Sequence, residues 1–369
     1  MAPSAMVQDE MKHLQLPPEC RTLSEPAQGD LQVALRSTGI CGSDVSYYKK
    51  FANGDLCACQ PLSLGHESSG VVVAIGPQGT LQDRINHPAV WCHKLPDNVS
   101  FDAAALLEPL SVAMHARNRA RPEAGSTALV LGAGTVGLLT AAMARQSGCT
   151  TVTVCDVDQG RVDYALDKGF ATHGYVVPRP LHASSSSSSV SAASDPGGGA
   201  DGAVTPASSI FSTLDGRLEG ARATAADIIA ASFKTSALAD VDEDEDEGFD
   251  VTYECTGKEV CMHTSLYATR PGGKVIMVGM GTPIQTLPMS VAHLREVDIL
   301  GIFRYANTYA TGIRLLCAQT RGGGFALPSL DDMVTHRFKG LESARQAFEL
   351  AGRTIDDEGR MVLKVVIEA

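Results

Sequence analysis

Residues 126–156 read STALVLGAGTVGLLTAAMARQSGCTTVTVCD, and this stretch decides the fold. An apolar segment, a glycine-rich turn, an apolar segment of helical length and a further apolar segment follow one another without interruption. Uniformly apolar strands that alternate with helices are typical of a parallel sheet covered on both faces. The stretch therefore predicts a strand, turn, helix and strand inside a doubly wound α/β domain.

The turn carries Gly132, Gly134 and Gly137 at GxGxxG spacing, and Asp156 ends the next strand. This context is typical of a dinucleotide site, because the glycines allow a tight turn, a close pyrophosphate and close packing of helix on strand. The anion then lies at the N-terminus of the helix. Since Asp156 would bind ribose hydroxyls and repel a 2′-phosphate, NAD is predicted rather than NADP, although Arg161 nearby could accommodate a phosphate.

The alternation of strands resumes at 249–257, 272–281 and 297–303. Before it resumes, residues 183–208 are almost entirely Ser, Gly, Ala and Pro, and residues 240–247 read DVDEDEDE. Such segments bury little apolar surface, so a disordered surface insertion is predicted over about 179–248. A single helix is expected inside it, around ATAADIIAASF, and the acidic run is interpreted as a solvated linker.

Upstream of residue 126 the pattern changes. Residues 31–40 and 68–76 are predicted to be strands, and the first is expected to end in a turn at CGSD. Residues 101–119 keep helical spacing, with a kink or break expected at Pro109. Within AALLEPLSV, the carboxylate of Glu108 stands in an apolar run, where it needs a cation or hydrogen-bond donors as partner.

A metal ion would provide that partner. Cys41 and His66 are sulfur and nitrogen donors of the kind that zinc selects, and Glu67 adjoins the histidine. Three protein ligands with an open fourth position are typical of a catalytic zinc site rather than a structural one. A lone cysteine or histidine is more often a core residue, so the prediction depends on their arrangement on glycine-bounded turns beside a carboxylate.

The overall composition narrows the class of protein. The chain has 369 residues, a formal net charge of −12 and ten cysteines with no CxxC pair. Nucleic acids and anionic membranes reward clustered Lys and Arg, so neither is expected as a partner. Because neither a membrane span nor a signal peptide is recognisable, a cytoplasmic protein is expected.

Several motifs together resemble one family. The segments GICGSDVSYY, PLSLGHESSG, ALLEPLSV, VLGAGTVG, YECTG, GIFRYANT and VTHRF occur in the order and spacing of zinc-dependent medium-chain dehydrogenases. Within that family they resemble the sorbitol, xylitol and arabinitol dehydrogenase branch, and GTLQDRINHPAVWCHKLP is similar to its fungal members. The resemblance implies a GroES-like β-barrel catalytic domain over 1–109 and 305–369, and a Rossmann NAD-binding domain over 110–304.

The resemblance also implies roles for individual residues. Cys41, His66 and Glu67 become ligands of one catalytic zinc ion, and Glu108 either touches zinc or binds the water held there. Residues that match contacts to the polyol, its water network or the proton path are Ser43, Tyr47, Arg304 and Tyr305. Residues that fall where the family contacts NAD are Val136, Asp156, Arg161, Val278, Gly279, Met280 and Phe303.

The chain also departs from the family pattern. After VVVAIGP the family has a further strand and a cysteine-rich lobe that holds a structural zinc, and neither is recognisable here. The loss of the strand is expected to remove ladder hydrogen bonds from the barrel and to expose an edge. No structural zinc is therefore expected.

Three functions remain open at this point. The first is zinc- and NAD-dependent oxidation of a secondary alcohol of a small polyol to the ketose. The second is a zinc-dependent dehydrogenase of a secondary-metabolite alcohol, and the third is a catalytically impaired NAD-binding relative that acts as an interaction protein. The family members are dimers or tetramers, so a homo-oligomer is expected.

Overall fold

The structure is a computed structural model that describes residues 27, 29–54, 56–58, 64–74, 84–178, 206–233, 248–319 and 327–368. The strands in chain order are β1 (Asp30–Gly39), β2 (Ala52–Asn53), β3 (Leu56–Cys57), β4 (Glu67–Ala74), β5 (Arg84–Pro88), β6 (Thr127–Leu131), β7 (Thr151–Asp156), β8 (His173–Val176), β9 (Phe249–Glu254), β10 (Thr269–Met277), β11 (Asp298–Gly301), β12 (Val334–Lys339) and β13 (Lys364–Glu368). The helices are α1 (Gly42–Lys50), α2 (Phe101–Ala105), α3 (Leu107–Ala120), α4 (Thr135–Gln146), α5 (Gln159–Asp167), α6 (Pro206–Phe233), α7 (Glu259–Ala268), α8 (Met289–Leu294), α9 (Tyr309–Gln319) and α10 (Ala344–Ala351).

One sheet is wholly parallel and has the strand order β8-β7-β6-β9-β10-β11. Its central strand β6 is buried from Ala128 to Leu131, and helices α3 and α4 contribute to the same core cluster. The chain order reverses between β6 and β9, which is the switch point where ligands bind in doubly wound sheets. The predicted α/β fold is confirmed, and its crevice lies where Gly132 follows β6.

The second sheet has the order β12-β13-β1-β4, with β5 also paired to β1. Residues Gln32 to Ala34 of β1 pair with both β4 and β5, so these two strands lie on opposite edges of β1. Ile85 and Asn86 of β5 are buried beside β1, so this edge of β1 is covered. The strand expected to be missing after VVVAIGP falls at residues that lie outside the described part of the chain, and its loss stays a prediction. The sequence RINHP carries too little alternation to be recognised as a strand.

The two sheets take their strands from different parts of the chain. The second sheet uses residues 30–88 and 334–368, and the parallel sheet uses residues 127–301. This distribution agrees with a barrel domain that is completed by the C-terminal segment. The domain boundaries at residues 109 and 304 stay a prediction.

The expected turn at CGSD is a helix N-terminus. Cys41 is the N-cap of α1 in extended conformation, and its backbone N–H donates to the Asp44 carboxylate at 3.0 Å. This is a capping box in which cysteine and aspartate replace the usual Ser or Thr and Glu or Gln. The residues Gly, Ser and Asp favour turns and helix starts alike, so composition alone could not separate the two.

The predicted helix over 101–119 is divided into α2 and α3. The break falls at Leu106, and not at Pro109. Pro109 is the third residue of α3, within the first turn, where a backbone N–H has no partner inside the helix. The proline therefore costs little there, and it leaves Glu108 in the first turn of a helix whose N-terminal residues are buried.

Helix α6 corrects the predicted insertion over 179–248. The helix expected at 223–233 is present, but it begins at Pro206 and belongs to the folded domain. Its residues Ala221, Ala225 and Ile228 are buried, and the last two join Leu129 and Phe249 in one apolar cluster. The residues from 179 to 205 and the acidic run lie outside the described part of the chain.

Within the described ranges, no helix is both long and apolar enough to cross a membrane.

We predict that Ile228→Ala destabilises the protein by about 2–5 kcal/mol, because it removes apolar contacts and leaves a cavity under α6. Ile228 is fully buried, whereas Ile284 is 84% exposed and provides a matched control. Ile284→Ala should change the free energy of unfolding by less than about 0.5 kcal/mol. Denaturant unfolding measures both, and equal stabilities of the two variants would mean that α6 lies outside the core.

Candidate active site

Three side chains form a possible metal site. The ligand atoms of Cys41, His66 and Glu67 all lie within 4.8 Å of one another. Cys41 caps α1, His66 lies in the loop before β4, and Glu67 is the first residue of β4. One thiol, one imidazole and one carboxylate match the donor set of catalytic zinc sites, so the residues fit zinc.

Asp44 contacts the residues that form this cluster and holds them in place. Its carboxylate accepts the backbone N–H groups of Cys41 and Gly65 at 3.0 and 3.1 Å, and it lies 3.4 Å from His66 Nδ1. Such a contact orients an imidazole and leaves Nε2 for the metal. Burial alone would raise the pKa of Asp44, but His66 and these two N–H groups hold it below its usual range.

A proton and a metal ion compete for the imidazole of His66. Burial alone would lower its pKa, but hydrogen bonds to Asp44 and Cys41 raise that pKa to about 11. Because only the neutral imidazole binds a metal, zinc must displace this proton.

Glu67 is held by a buried ion pair. Lys364 Nζ lies 2.5 Å from Glu67 Oε2 and donates to the Ile40 carbonyl at 3.3 Å. The side chains of Lys364 and Glu67 are only 4% and 1% exposed. Gly39, the strand neighbour of Glu67, makes room for it, because a Cβ there would lie 2.4 Å from Glu67 Oε2.

Glu108 lies near the cluster but outside it. Its side chain is buried in the first turn of α3, and burial together with the charge of Glu67 raises its pKa above the usual range. His66, Lys364 and Arg304 supply the opposing positive charge. These cationic groups are the partners that an apolar environment requires, yet Glu108 is not among the three grouped metal ligands.

Arg304 and Tyr305 lie on a strained turn after β11. Arg304 and Asn307 have φ values of +50° and +56°, a region that non-glycine residues rarely adopt. Burial and the Glu108 carboxylate raise the pKa of Tyr305, while His66 and Arg304 oppose the rise. The turn therefore brings Tyr305 within electrostatic reach of the predicted metal site, and strained backbone of this kind clusters at functional sites.

Ser43 and Tyr47 lie on α1, directly after Cys41. They are four residues apart, so they share one face of the helix. Both are half-buried. Their roles toward a substrate remain predictions.

The glycine turn has the shape that a pyrophosphate requires. Gly132 has φ +101°, and a Cβ at Gly137 would lie 1.8 Å from the Gly132 carbonyl oxygen. A Cβ at Gly134 would meet only Arg161 Nη1, at 3.9 Å, so space remains in front of this residue. The cradle therefore fits a dinucleotide, with Val136 half-buried in the first turn of α4.

Asp156 and Arg161 flank this cradle. Asp156 accepts the backbone N–H groups of Ala133 and Asp158 at 2.7 and 3.1 Å, which places its carboxylate beside the glycine turn. Arg161 Nη2 donates to the Val362 carbonyl at 2.8 Å, and its Nε is buried without a partner among the described residues. A carboxylate at this point would oppose a 2′-phosphate, and this role of Asp156 stays a prediction.

The other predicted cofactor contacts follow β10 and β11. Val278 and Gly279 donate backbone N–H groups to the Glu254 carbonyl at 2.9 and 2.8 Å. Met280 and Phe303 are 49% and 60% exposed. Because the carboxyl ends of parallel strands meet at one edge of the sheet, these segments lie on the same edge as Gly132. Their contacts to NAD stay predictions.

Comparisons with known proteins agree with this geometry. The sequence profile of the family described as Zinc-binding dehydrogenase matches residues 200–318, and that of the Alcohol dehydrogenase GroES-like domain matches residues 27–84. The chain is 31% identical to sorbitol dehydrogenase of Gallus gallus over 379 aligned positions, which cover 91% of this chain and 90% of that protein.

The chain belongs to the zinc-binding dehydrogenase family. It is also 30% identical to L-arabinitol 4-dehydrogenase of Talaromyces emersonii, over 90% of this chain and 84% of that protein. The fold is shared with 2R,3R-butanediol dehydrogenase of Bacillus subtilis, at a TM-score of 0.64 and 19% identity over 96% of each chain. This dehydrogenase is therefore an enzyme whose cofactors are zinc and NAD, the latter being typical of the family.

Sequence reasoning missed two residues of the dehydrogenase site. Lys364 stands in the apolar run LKVVIE, and an isolated charge in such a run calls for a partner just as Glu108 does. Asp44 completes the pattern C-x-x-D, which is a capping box with an unusual pair of residues. Both patterns are present in the sequence, but neither pattern identifies the residue that Lys364 or Asp44 contacts in the folded protein.

We predict that Asp44→Asn lowers zinc affinity about 10- to 100-fold, because the residue that orients His66 loses its charge. Zinc competition against a chromophoric chelator measures the affinity. Asp167→Asn, at an exposed position on α5, is the control and should bind zinc as the wild type does. Unchanged zinc affinity in Asp44→Asn would contradict the assigned role.

We predict that Asp156→Ser reduces the preference for NAD over NADP about 10- to 100-fold, since the repulsion of a 2′-phosphate is removed. Dissociation constants of NADH and NADPH, from fluorescence titration, give the ratio. Asp163→Asn, exposed on α5, is the control. A ratio that does not move in Asp156→Ser would rule out this carboxylate as the discriminating group.

Proposed function

We propose that this dehydrogenase oxidises a secondary hydroxyl of a small polyol to a ketone, with NAD as hydride acceptor. The observation that carries the proposal is a buried carboxylate, Glu108, beside a Cys, His and Glu metal cluster and within electrostatic reach of Arg304 and Tyr305. The similarity to sorbitol and L-arabinitol dehydrogenases supports the same substrate class.

The cofactors supply the central chemistry when bound: zinc makes the substrate hydroxyl more acidic, and NAD accepts the hydride from carbon. The chain itself binds and orients the polyol and removes the proton. Cys41, His66 and Glu67 would hold the metal, and the glycine turn would hold the dinucleotide.

Glu108 is suited to hold a proton. Burial and the nearby charge of Glu67 raise the pKa of its carboxyl above the usual range, so it takes up a proton more readily than a surface glutamate. A general base works best when its pKa lies near the working pH. Since Glu108 lies outside the group of metal ligands, we assign it the proton-handling role rather than direct ligation.

Arg304, Tyr305 and Tyr47 would hydrogen-bond the remaining hydroxyls, and Ser43 would lie on the path by which the proton leaves. A site built to hydrogen-bond hydroxyls rejects substrates that lack them, because its own polar groups are then left unpaired. This argument favours polyols over simple apolar alcohols. No observation favours a secondary-metabolite alcohol or an impaired relative.

The larger organisation follows from the same proposal. The active site would lie in a cleft between a barrel domain, residues 1–109 and 305–369, and a Rossmann domain, residues 110–304. Arg161 and Thr135 of the parallel-sheet region already contact the carbonyls of Val362 and Leu363 across this division. A cytoplasmic homo-oligomer is the assembly that the family resemblance implies.

The test is NADH formation by the purified enzyme on sorbitol, xylitol and arabinitol, with and without a zinc chelator. We expect turnover on at least one polyol and its loss on chelation. Cys41→Ala should lower kcat about a thousand-fold, because several kcal/mol of charge stabilisation are lost, while NADH binding is retained.

Cys92→Ala is the matched control, since Cys92 lies beside the Pro88 carbonyl outside the site. It should retain wild-type turnover. Folded, zinc-loaded enzyme that oxidises no polyol would overturn the proposed substrate class. Turnover that survives complete removal of zinc would overturn the assigned metal site.

A further inference from the structure

Tyr309 is a second phenol beside Tyr305 that no family motif assigns. It is the first residue of α9, and its hydroxyl oxygen lies 3.4 Å from that of Tyr305. The two rings are tilted by 46° with centroids 5.3 Å apart. A pair of phenols in contact, one of them a predicted substrate contact, makes the second a candidate for positioning the first.

The position of Tyr309 is fixed from two sides. Helix α9 packs closely on α3, because a Cβ at Gly312 would lie 2.6 Å from Leu107 Cδ1. Leu107 precedes Glu108, so this contact brings the start of α9 toward the buried carboxylate. On its other side the Tyr309 ring stacks on His93, with centroids 5.1 Å apart and an interplanar angle of 26°.

The direction of the hydrogen bond between the phenols decides what the Tyr305 proton can reach. Burial, the bond to Tyr305 and the nearby charges of Glu108 and Glu67 raise the pKa of Tyr309 far above its usual value. Burial also raises the pKa of Tyr305, but the bond to Tyr309 lowers it. Either oxygen can be the donor in this contact. When Tyr309 gives its proton to the Tyr305 oxygen, the proton of Tyr305 is left free for another oxygen.

We propose that Tyr309 is a positioning residue that holds the Tyr305 hydroxyl as a hydrogen-bond donor to a substrate hydroxyl, and so favours polyols over monohydroxy alcohols. The inference rests on the proposed function. Tyr309 does not need to touch the substrate, because it acts through the phenol that does. The close packing of Gly312 on Leu107 and the stacking on His93 hold the Tyr309 ring in this arrangement.

The test compares Tyr309→Phe, Tyr305→Phe and the double variant, because phenylalanine keeps each ring and removes only the hydroxyl. We expect Tyr309→Phe to lower kcat/KM for the polyol about three- to tenfold, the size expected for one neutral hydrogen bond. The value for a monohydroxy secondary alcohol such as 2-butanol should stay within about twofold, since that substrate offers no second hydroxyl. In the Tyr305→Phe background the second substitution should have no further effect, because the two residues act as one unit.

Two further measurements separate positioning from a structural role. Tyr164→Phe is the control, since the Tyr164 hydroxyl is buried without a partner among the described residues. It should leave both substrates unaffected. A binding readout is the rise in Tm that the polyol gives to the NADH-saturated enzyme, which should shrink in Tyr309→Phe while the rise caused by NADH alone is unchanged.

Losses that are equal for both substrates, or additive with those of Tyr305→Phe, would overturn the inference. So would wild-type kinetics in Tyr309→Phe. These outcomes differ from failure of the proposed function, in which the wild-type enzyme itself oxidises no polyol and the inference fails with it.

Discussion

The buried ion pair between Lys364 and Glu67 is the contact on which the site depends. It joins the C-terminal strand β13 to the first residue of β4, across β1, which lies between them. Removing one partner of such a pair leaves an unpaired buried charge, which costs about 3–5 kcal/mol. The same segment reaches the nucleotide cradle, because the carbonyls of Val362 and Leu363 accept hydrogen bonds from Arg161 and Thr135. The metal ligand and the dinucleotide turn are thus attached to three consecutive residues.

Charge balance explains why this interior needs a cation. Two carboxylates, Glu67 and Glu108, are buried near one thiol, and Lys364 is a cation buried among them. Burial alone would lower the pKa of Lys364, but Glu67 and Cys41 raise it above its usual value. His66, whose pKa is raised to about 11, adds a second positive charge as long as it keeps its proton. A divalent ion held by Cys41, His66 and Glu67 would take the place of this proton, and its positive charge would also stabilise a developing alkoxide.

Prediction from the sequence succeeded where a local pattern is tied to one structure. The glycine turn with Asp156 at the end of the next strand could be interpreted from spacing alone, and the parallel sheet has the strand order that such a turn implies. It failed where local chemistry is ambiguous. CGSD suits a turn or a helix N-cap, and the residues from 206 to 222 contain too few large apolar side chains to signal the packed helix that they form with 223–233. The strand at 84–88 was missed because only its pairing with β1 defines it.

The sequence by itself determined the fold class and the dinucleotide turn, because residues close together in the chain encode each of them. It also indicated which residues could bind zinc, because their side chains are the donor types that zinc selects. Only the tertiary structure decided the partners of the isolated charges. Lys364 and Glu67 are 297 residues apart, and Tyr305 lies within electrostatic reach of Glu108 from another part of the chain. A charged residue in an apolar run predicts that the folded protein supplies a partner for that charge. Which partner it meets depends on how strands and helices distant in sequence pack together, and no local pattern encodes that contact.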